Sequence, residues 1–382
     1  MADAARGGPL EGLKVVEMAG LGPCPLAGQM LADLGAEVLL IERAGTPAKD
    51  RAWDVNNRGK RPVALNLKTP EGAGAAMTLI KGADILIEGF RPGVMEKLGL
   101  GPEECLAANP GLVFGRMTGW GQDGPLSMTA GHDINYLSMT GLLWMMGEKG
   151  RPPVPPLNLV ADYGGGTMFL LLGVLSALWE RSRSGKGQVV DAAMVDGVSA
   201  FSGIFRGFAA LGAWREERAD NLLDGAAPFY RCYECACGGF LSVGPLEPQF
   251  FAQFVKLAGL PEAHREDQRD PATWEARAAQ YAEVFRGKTR DEWVAIFEGT
   301  DACVAPVLSP SEAEAHPANT ARGVHVTVGG VTQAAPAPRF GRTPAPAVTA
   351  ARPAGSDTEA ALAEAGLGAA EIAALKAAGA LG

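Results

Sequence analysis

From Leu13 to Thr118, short apolar runs rich in β-branched residues alternate with stretches of helical period. The runs LKVVEMA (13–19), EVLLIER (37–43), PVALNLK (62–68), DILIEGF (84–90) and LVFGRMT (112–118) predict five strands. Between them, PLAGQMLADLG (25–35) and PEGAGAAMTLIKG (70–82) carry apolar positions at helical spacing and close on glycine, and Pro70 suits a first helical turn. Strand–helix–strand units of this kind build a parallel sheet, and strands apolar at nearly every position need cover on both faces. The expected fold class is α/β, with a Rossmann-like large domain.

The pattern weakens from Pro125 to Pro156, a stretch rich in Gly, Met and Pro that predicts an extended loop with one short helix. DYGGGTMFLLLGVLSALWERSRSGKG (162–187) predicts a glycine-rich turn, a buried helix ending in basic residues and a glycine exit. QVVDAAMVDGVSAFSGIF (188–205) predicts a strand and another helix. Charge gathers in WREERADNLLD (214–224), which reads as linker. Beyond it, PFYRCYECACGGFLSVGPL (228–246) reads as a hairpin with a Gly-Gly turn, 248–300 as three helices, and ACVAPVLSPSEA (302–313) as a strand meeting a helix start. The Pro- and Ala-rich stretch from Thr332 to Ser356 predicts a linker or surface segment, followed by two short helices at 357–366 and 369–379. The expected layout is 1–205 for the first part of the large domain, 206–227 for a linker, 228–325 for a smaller α+β domain, and 326–382 for a linker and a return to the large domain.

Composition narrows the function classes. A chain of 382 residues, 47% apolar and 20% charged, has enough apolar sequence for a real core and too great a length for one small one. The balance of 34 basic against 43 acidic residues leaves −9, which disfavours nucleic acid as a partner. The longest strongly apolar stretch, Met168 to Trp179, has 12 residues broken by Gly173 and Ser176. A span needs about 20, so no membrane partner is expected. The N-terminus lacks an apolar signal core, and six cysteines in so long a chain suggest free thiols and a cytoplasmic location.

Few residues offer chemistry. AGLGPCP (19–25) puts Pro25 where a dinucleotide fingerprint wants its third glycine, so it reads as an ordinary tight turn. Arg43, Lys68 and Arg91 follow strands two, three and four, along the edge where open parallel sheets bind ligands, which points to an anion carrying several phosphates. Arg51, Arg58, Lys60 and Arg61 lie in the adjoining loop. His132, in TAGHDINY, is one of four histidines and sits in the loop leaving the sheet. Asp162 precedes Gly164, Gly165 and Gly166. Taken singly, the histidine suits a structural role and the aspartate an N-cap worth about 1 kcal/mol. Together with outward amides of a glycine turn, they offer an acid, a base and an oxyanion pocket. Glu247 is held between Pro245 and Pro248. Cys232, Cys235 and Cys237 supply three thiols without a fourth ligand, so no metal is expected. SGKGQ (184–188) lacks a full phosphate-loop frame and reads as a turn.

GLKVVEMAGLGPCP, IERAG, NNRGKRPVALNLK, EGFRPGVMEKLGLGPEE, RMTGWGQDGP, AGHDINYLSMTG, PLNLVADYGGG, ERSRSGKGQVVDAAMVDG and DACVAPVLSPSEA together resemble the type III CoA-transferase superfamily. His132 within GHDINY resembles its α-methylacyl-CoA racemase branch. The resemblance implies an intertwined homodimer, each active site lying between the large domain of one subunit and the small domain of the other. It implies an acyl-CoA substrate across the strand ends near Arg43, Lys68 and Arg91, with no cofactor beyond the CoA moiety. It makes His132 and Asp162 an acid/base pair on opposite faces of the α-carbon, with Glu247 orienting the histidine and the Gly164–Gly166 amides holding an enolate oxygen. The activity implied is inversion at C2 of 2-methylacyl-CoA thioesters. The alternative is CoA transfer with Asp162 as nucleophile, through an aspartyl-CoA thioester. Met139, Met145 and Met146 are expected to offer an apolar surface to the acyl group.

Overall fold

A computed structural model describes residues 7–47 and 49–382, which divide into two compact units. The first comprises residues up to Thr140, Pro156–Phe201 and Arg322–Gly382. Its strands β1 (Lys14–Met18), β2 (Glu37–Arg43), β3 (Arg61–Leu65), β4 (Ile85–Glu88), β5 (Val113–Thr118) and β6 (Gln188–Ala193) form one parallel sheet in the order β3-β2-β1-β4-β5-β6. Every residue of β4 and β5 is buried, including Glu88 and Arg116, which pair with each other at 2.9 Å. The crossovers α1 (Pro23–Asp33), α2 (Pro70–Lys81), α3 (Val94–Lys97) and α4 (Pro102–Ala108) carry the chain between strands. β3 stops at Leu65, shorter than its apolar run, because Asn66 begins the turn into α2 and Thr69 caps that helix by accepting the Gly72 amide hydrogen. Lys68 therefore lies in the turn.

The core under α2 and α4 joins Val16, Ile41, Val63, Leu79, Ile80, Leu86 and Phe114 with Leu362 and Ile372 from the helices Thr358–Glu364 and Ala369–Ala377. The same segment covers the edge strand. Thr358 Oγ1 accepts the Ala64 amide hydrogen at 2.9 Å, Ala380 O accepts that of Asn66 at 2.8 Å, and Leu381 pairs with Leu65. An otherwise open row of backbone groups is thereby protected.

After α5 (Asp133–Met139), the expected glycine turn is absent. Leu159–Thr167 is a π-helix running directly into α6 (Met168–Ser184), so one 26-residue helix replaces turn and helix. The glycines serve packing. A Cβ on Gly165 would stand 2.7 Å from Val198 Cγ2, and one on Gly197 would run into the Gly165 carbonyl oxygen, so bare backbone lets the π-helix lie against α7 (Met194–Phe201). By length and composition this helix could cross a membrane, unlike the 12-residue stretch taken alone. Only one stripe of α6 is buried, through Leu170, Leu171, Val174 and Ala177, while Leu172 and Trp179 are 62% and 69% exposed.

The second unit comprises Gly141–Pro155 and Ser202–Ala321. Its antiparallel sheet orders β7 (Arg231–Glu234), β8 (Phe240–Val243) and β9 (Val304–Val307) over an aromatic core of Phe229, Phe251, Phe254, Tyr281, Phe285, Trp293 and Phe297. The segment 141–155, expected with the first domain, belongs here: Trp144 Nε1 donates to Glu216 O and the Arg218 guanidinium lies 4.9 Å from the Trp144 ring centre. The linker expected from 206 begins inside a helix, Gly203–Ala210.

Candidate active site

Strand order turns back between β1 and β4, the position at which open α/β sheets hold ligands. A cleft of about 490 Å³ opens there, lined by Leu21, Gly22 and Pro23 after β1, Gly89 to Pro92 after β4, Met117 to Trp120 at the end of β5, and Met194 after β6. The loop from Ser127 to His132, with Tyr136 and Asp162, closes its remaining side.

His132 is the extended N-cap of α5 and donates its amide hydrogen to Asn135 Oδ1 at 3.1 Å, leaving its exposed imidazole in the cleft. The helix behind it is locked by Tyr136, whose ring meets Trp120 edge-on and fills space that Cβ atoms at Gly119 and Gly131 would occupy. Asp162 is partly buried in the π-helix. Burial holds its carboxyl above the usual aspartate range and the Asp133 charge adds to the rise, while a 3.4 Å hydrogen bond from Asn158 Nδ2 and the nearby His132 oppose it. Burial, then the charge of Asp162, also raises the Tyr136 phenol, with Arg91 opposing. The first βα turn, read as ordinary, touches this carboxylate: a Cβ on Gly22 would stand 3.2 Å from Asp162 Oδ2.

The cations separate into two groups. Arg51 pairs with Glu42 and bonds Arg352 O at 2.7 Å; Arg58 is buried against Asp33 and Gln333; Lys60 is buried on Glu17, Pro25 O and Asn57; Arg61 meets Glu37, Asp357 and Glu364. These four hold the fold together and do not form a solvated loop. By contrast, the exposed Arg43, Lys68 and Arg91 side chains make no hydrogen bond or ion pair with the described residues. Only Arg91 lines the cleft; Arg43 and Lys68 lie farther along the same sheet edge.

The oxyanion role expected of Gly164, Gly165 and Gly166 conflicts with their structure, since amides inside a π-helix bond carbonyls five residues earlier. Glu247 is exposed at the N-cap of Pro248–Leu257 in the second unit. Cys232 and Cys237 are exposed and Cys235 is buried, and no group of three or more metal-ligating side chains forms among the described residues. Met139 is 67% exposed beside a smaller pocket of about 290 Å³, while Met145 and Met146 belong to the second unit. Sequence reading assigned Gly22 only the role of a turn glycine and no role to Tyr136, Asp133 or Met194; Asp133 and Tyr136 were signalled by their place in GHDINY beside His132, and no local pattern marks Met194.

A family model described as CoA-transferase family III matches residues 10–358. The chain belongs to that family. It is similar to the α-methylacyl-CoA racemase of Mus musculus, 46% identical over 337 residues that cover 88% of this chain and 87% of the relative. It is also similar to that of Homo sapiens, 44% identical over 320 residues covering 83% and 82%. A solved structure of a CAIB/BAIF family protein from Brucella suis superposes with a TM-score of 0.80 at 26% identity, covering 94% of this chain and 100% of the other. For a member of CoA-transferase family III, a cleft at the strand ends lined by Arg91, a cation without a partner among the described residues, is a coherent place for a CoA thioester.

Proposed function

We propose that this protein is a racemase that inverts C2 of 2-methylacyl-CoA thioesters by 1,1-proton transfer. The observation that carries the reading is the presence of His132 beside Asp162 in one cleft. Inversion at carbon without redox needs a group to remove a proton from one face and another to return one to the opposite face. Neutral His132 and ionised Asp162 each serve as base for one epimer, and their protonated forms serve as the matching acids; such positioned transfer contributes about 10²–10⁴-fold. The thioester carbonyl acidifies the C2–H because the resulting enolate places charge on oxygen. With the glycine amides engaged elsewhere, the first-turn amides of α5 at Asp133 and Ile134, which have no hydrogen-bond partner among the described residues, are the better oxyanion donors. Burial holds the Asp162 carboxyl above its usual range, which favours its protonated form and so its turn as the acid of the pair.

Arg91 binds CoA phosphate or adenine at the cleft, with Arg43 and Lys68 extending the same contact surface, and no cofactor is needed beyond the CoA moiety. The exposed stripe of Leu172 and Trp179 supports a homodimer, across which Glu247 orients His132. Six free thiols accompany a proposed cytoplasmic location. Asp162 could also act as the nucleophile of CoA transfer, as the family name suggests, but that chemistry gives His132 no task. The deciding experiment incubates one 2-methylacyl-CoA epimer with the protein in deuterated water. Deuterium at C2 with loss of optical purity supports the racemase; CoA moving onto an added free acid, with C2 unlabelled, overturns it.

A further inference from the structure

Asp133 follows His132 in sequence, yet its side chain serves the other half of the acid/base pair. It is 5% exposed, and its Oδ2 accepts the amide hydrogens of Ala161 at 2.7 Å and Asp162 at 2.8 Å. Those amides belong to the first turn of the π-helix, where no intrahelical acceptor exists. The helix's own N-cap, Asn158, supplies no side-chain cap and instead donates to Asp162 Oδ2. Asp133 Oδ1 has no hydrogen-bond partner among the described residues, so the two amide bonds are what hold this buried carboxylate in place. One end of the linkage is fixed by α5, through the His132 amide on Asn135 and the Tyr136 ring between Gly119 and Gly131. The other end is the backbone of Asp162 itself.

We infer that Asp133 is a positioning residue that ties the Asp162 backbone to the segment bearing His132, so that acid and base keep one fixed spacing across the reacting carbon. The inference rests on the racemase reading. It has an electrostatic side as well. The groups facing Asp162 are His132, Asp133 and Tyr136 from the α5 segment, Asn158 from its own helix, and the uncharged Gly22 from the turn after β1, with Arg91 beyond Tyr136. Of these, Asp133 is the one carboxylate whose charge disfavours ionisation of Asp162.

The test uses the full chain as Asp133→Ala and Asp133→Asn, each given the two 2-methylacyl-CoA epimers in turn in deuterated water. Alanine removes both acceptor bonds; asparagine keeps an oxygen for the two amides and deletes the charge. In Asp133→Ala, kcat for inversion should fall about a hundredfold, as misplacement of a reacting group by about 1 Å does, with KM changing by less than about threefold. Deuterium entry from the epimer deprotonated by His132 should outlast inversion, so the ratio of exchange to inversion rises. Asp133→Asn should recover most of kcat. The acidic limb of its kcat/KM profile should move to lower pH for the epimer deprotonated by Asp162, because that carboxyl then ionises more easily.

An unchanged exchange-to-inversion ratio in Asp133→Ala, whatever happens to stability, overturns the inference. If the alanine variant does not fold, Asp133→Ser, whose shorter side chain cannot reach both amides, decides on the same readout: a raised exchange-to-inversion ratio supports the inference and a wild-type ratio overturns it. Wild-type protein that neither labels nor inverts C2 defeats the racemase reading itself, and the inference with it.

Discussion

Replacing Gly22 by alanine tests whether the turn after β1 belongs to the chemical site. Gly22 has φ 69° and ψ −121°, a backbone state that side chains rarely tolerate. Forcing alanine into it costs about 1–3 kcal/mol, lost from stability. The new methyl would also stand 3.2 Å from Asp162 Oδ2, close enough that the carboxylate must yield by a few tenths of an ångström. The methyl excludes solvent from a carboxyl already raised by burial, and so raises it further. Displacement and desolvation together should lower turnover by about ten- to a hundredfold. Gly185→Ala is the control. Gly185 has φ 73° at the C-cap of α6, and nothing lies within 4 Å of an added Cβ, so it carries strain of about 1 kcal/mol without touching the cleft. Denaturant unfolding and epimer interconversion at saturating substrate are measured on both. Both variants should lose stability and only Gly22→Ala should lose turnover. Equal activity in the two, at matched stability loss, would refute the contact between turn and carboxylate.

Other outcomes follow from the same geometry. Asp162 has a folded pKa above its unfolded one, so its ionisation opposes folding as pH rises through that interval; Asp162→Asn should raise the unfolding midpoint at pH 7, abolish activity, and lose its stability advantage as pH falls below the ordinary aspartate range. Arg91→Ala should raise KM for the CoA thioester and weaken its salt dependence with little change in the unfolding midpoint, since the side chain has no partner to abandon among the described residues. Arg58→Ala should destabilise by about 3–5 kcal/mol in denaturant titration, because Asp33 would stay buried without its partner. Trp179→Glu should convert a dimer to monomers in analytical ultracentrifugation; wild-type protein that is monomeric at micromolar concentration would remove the dimer from the account.

The strands of the large unit were legible because burial on both faces forces continuous apolar runs, and helix ends were marked by Pro and Gly. The π-helix was not. Its i→i+5 bonding leaves no periodic signature over nine residues, and three glycines that let two helices touch look the same in sequence as three glycines that turn a chain. The basic loop misled for a different reason. Arg58 finds Gln333 and Arg61 finds Glu364, partners about 275 and 303 residues away, which no local pattern reveals. His132 and Asp162 could be singled out as residue types in loops near a sheet edge, but the link between them runs through Asp133, which sequence alone presents as an ordinary first-turn acid.

The most direct test is a crystal structure with a 2-methylacyl-CoA bound. C2 should lie between the His132 imidazole and the Asp162 carboxylate, each within about 3.5 Å and on opposite faces, with the thioester oxygen toward the start of α5. A C2 atom approached by both groups from one face, or out of reach of either, would contradict the racemase reading.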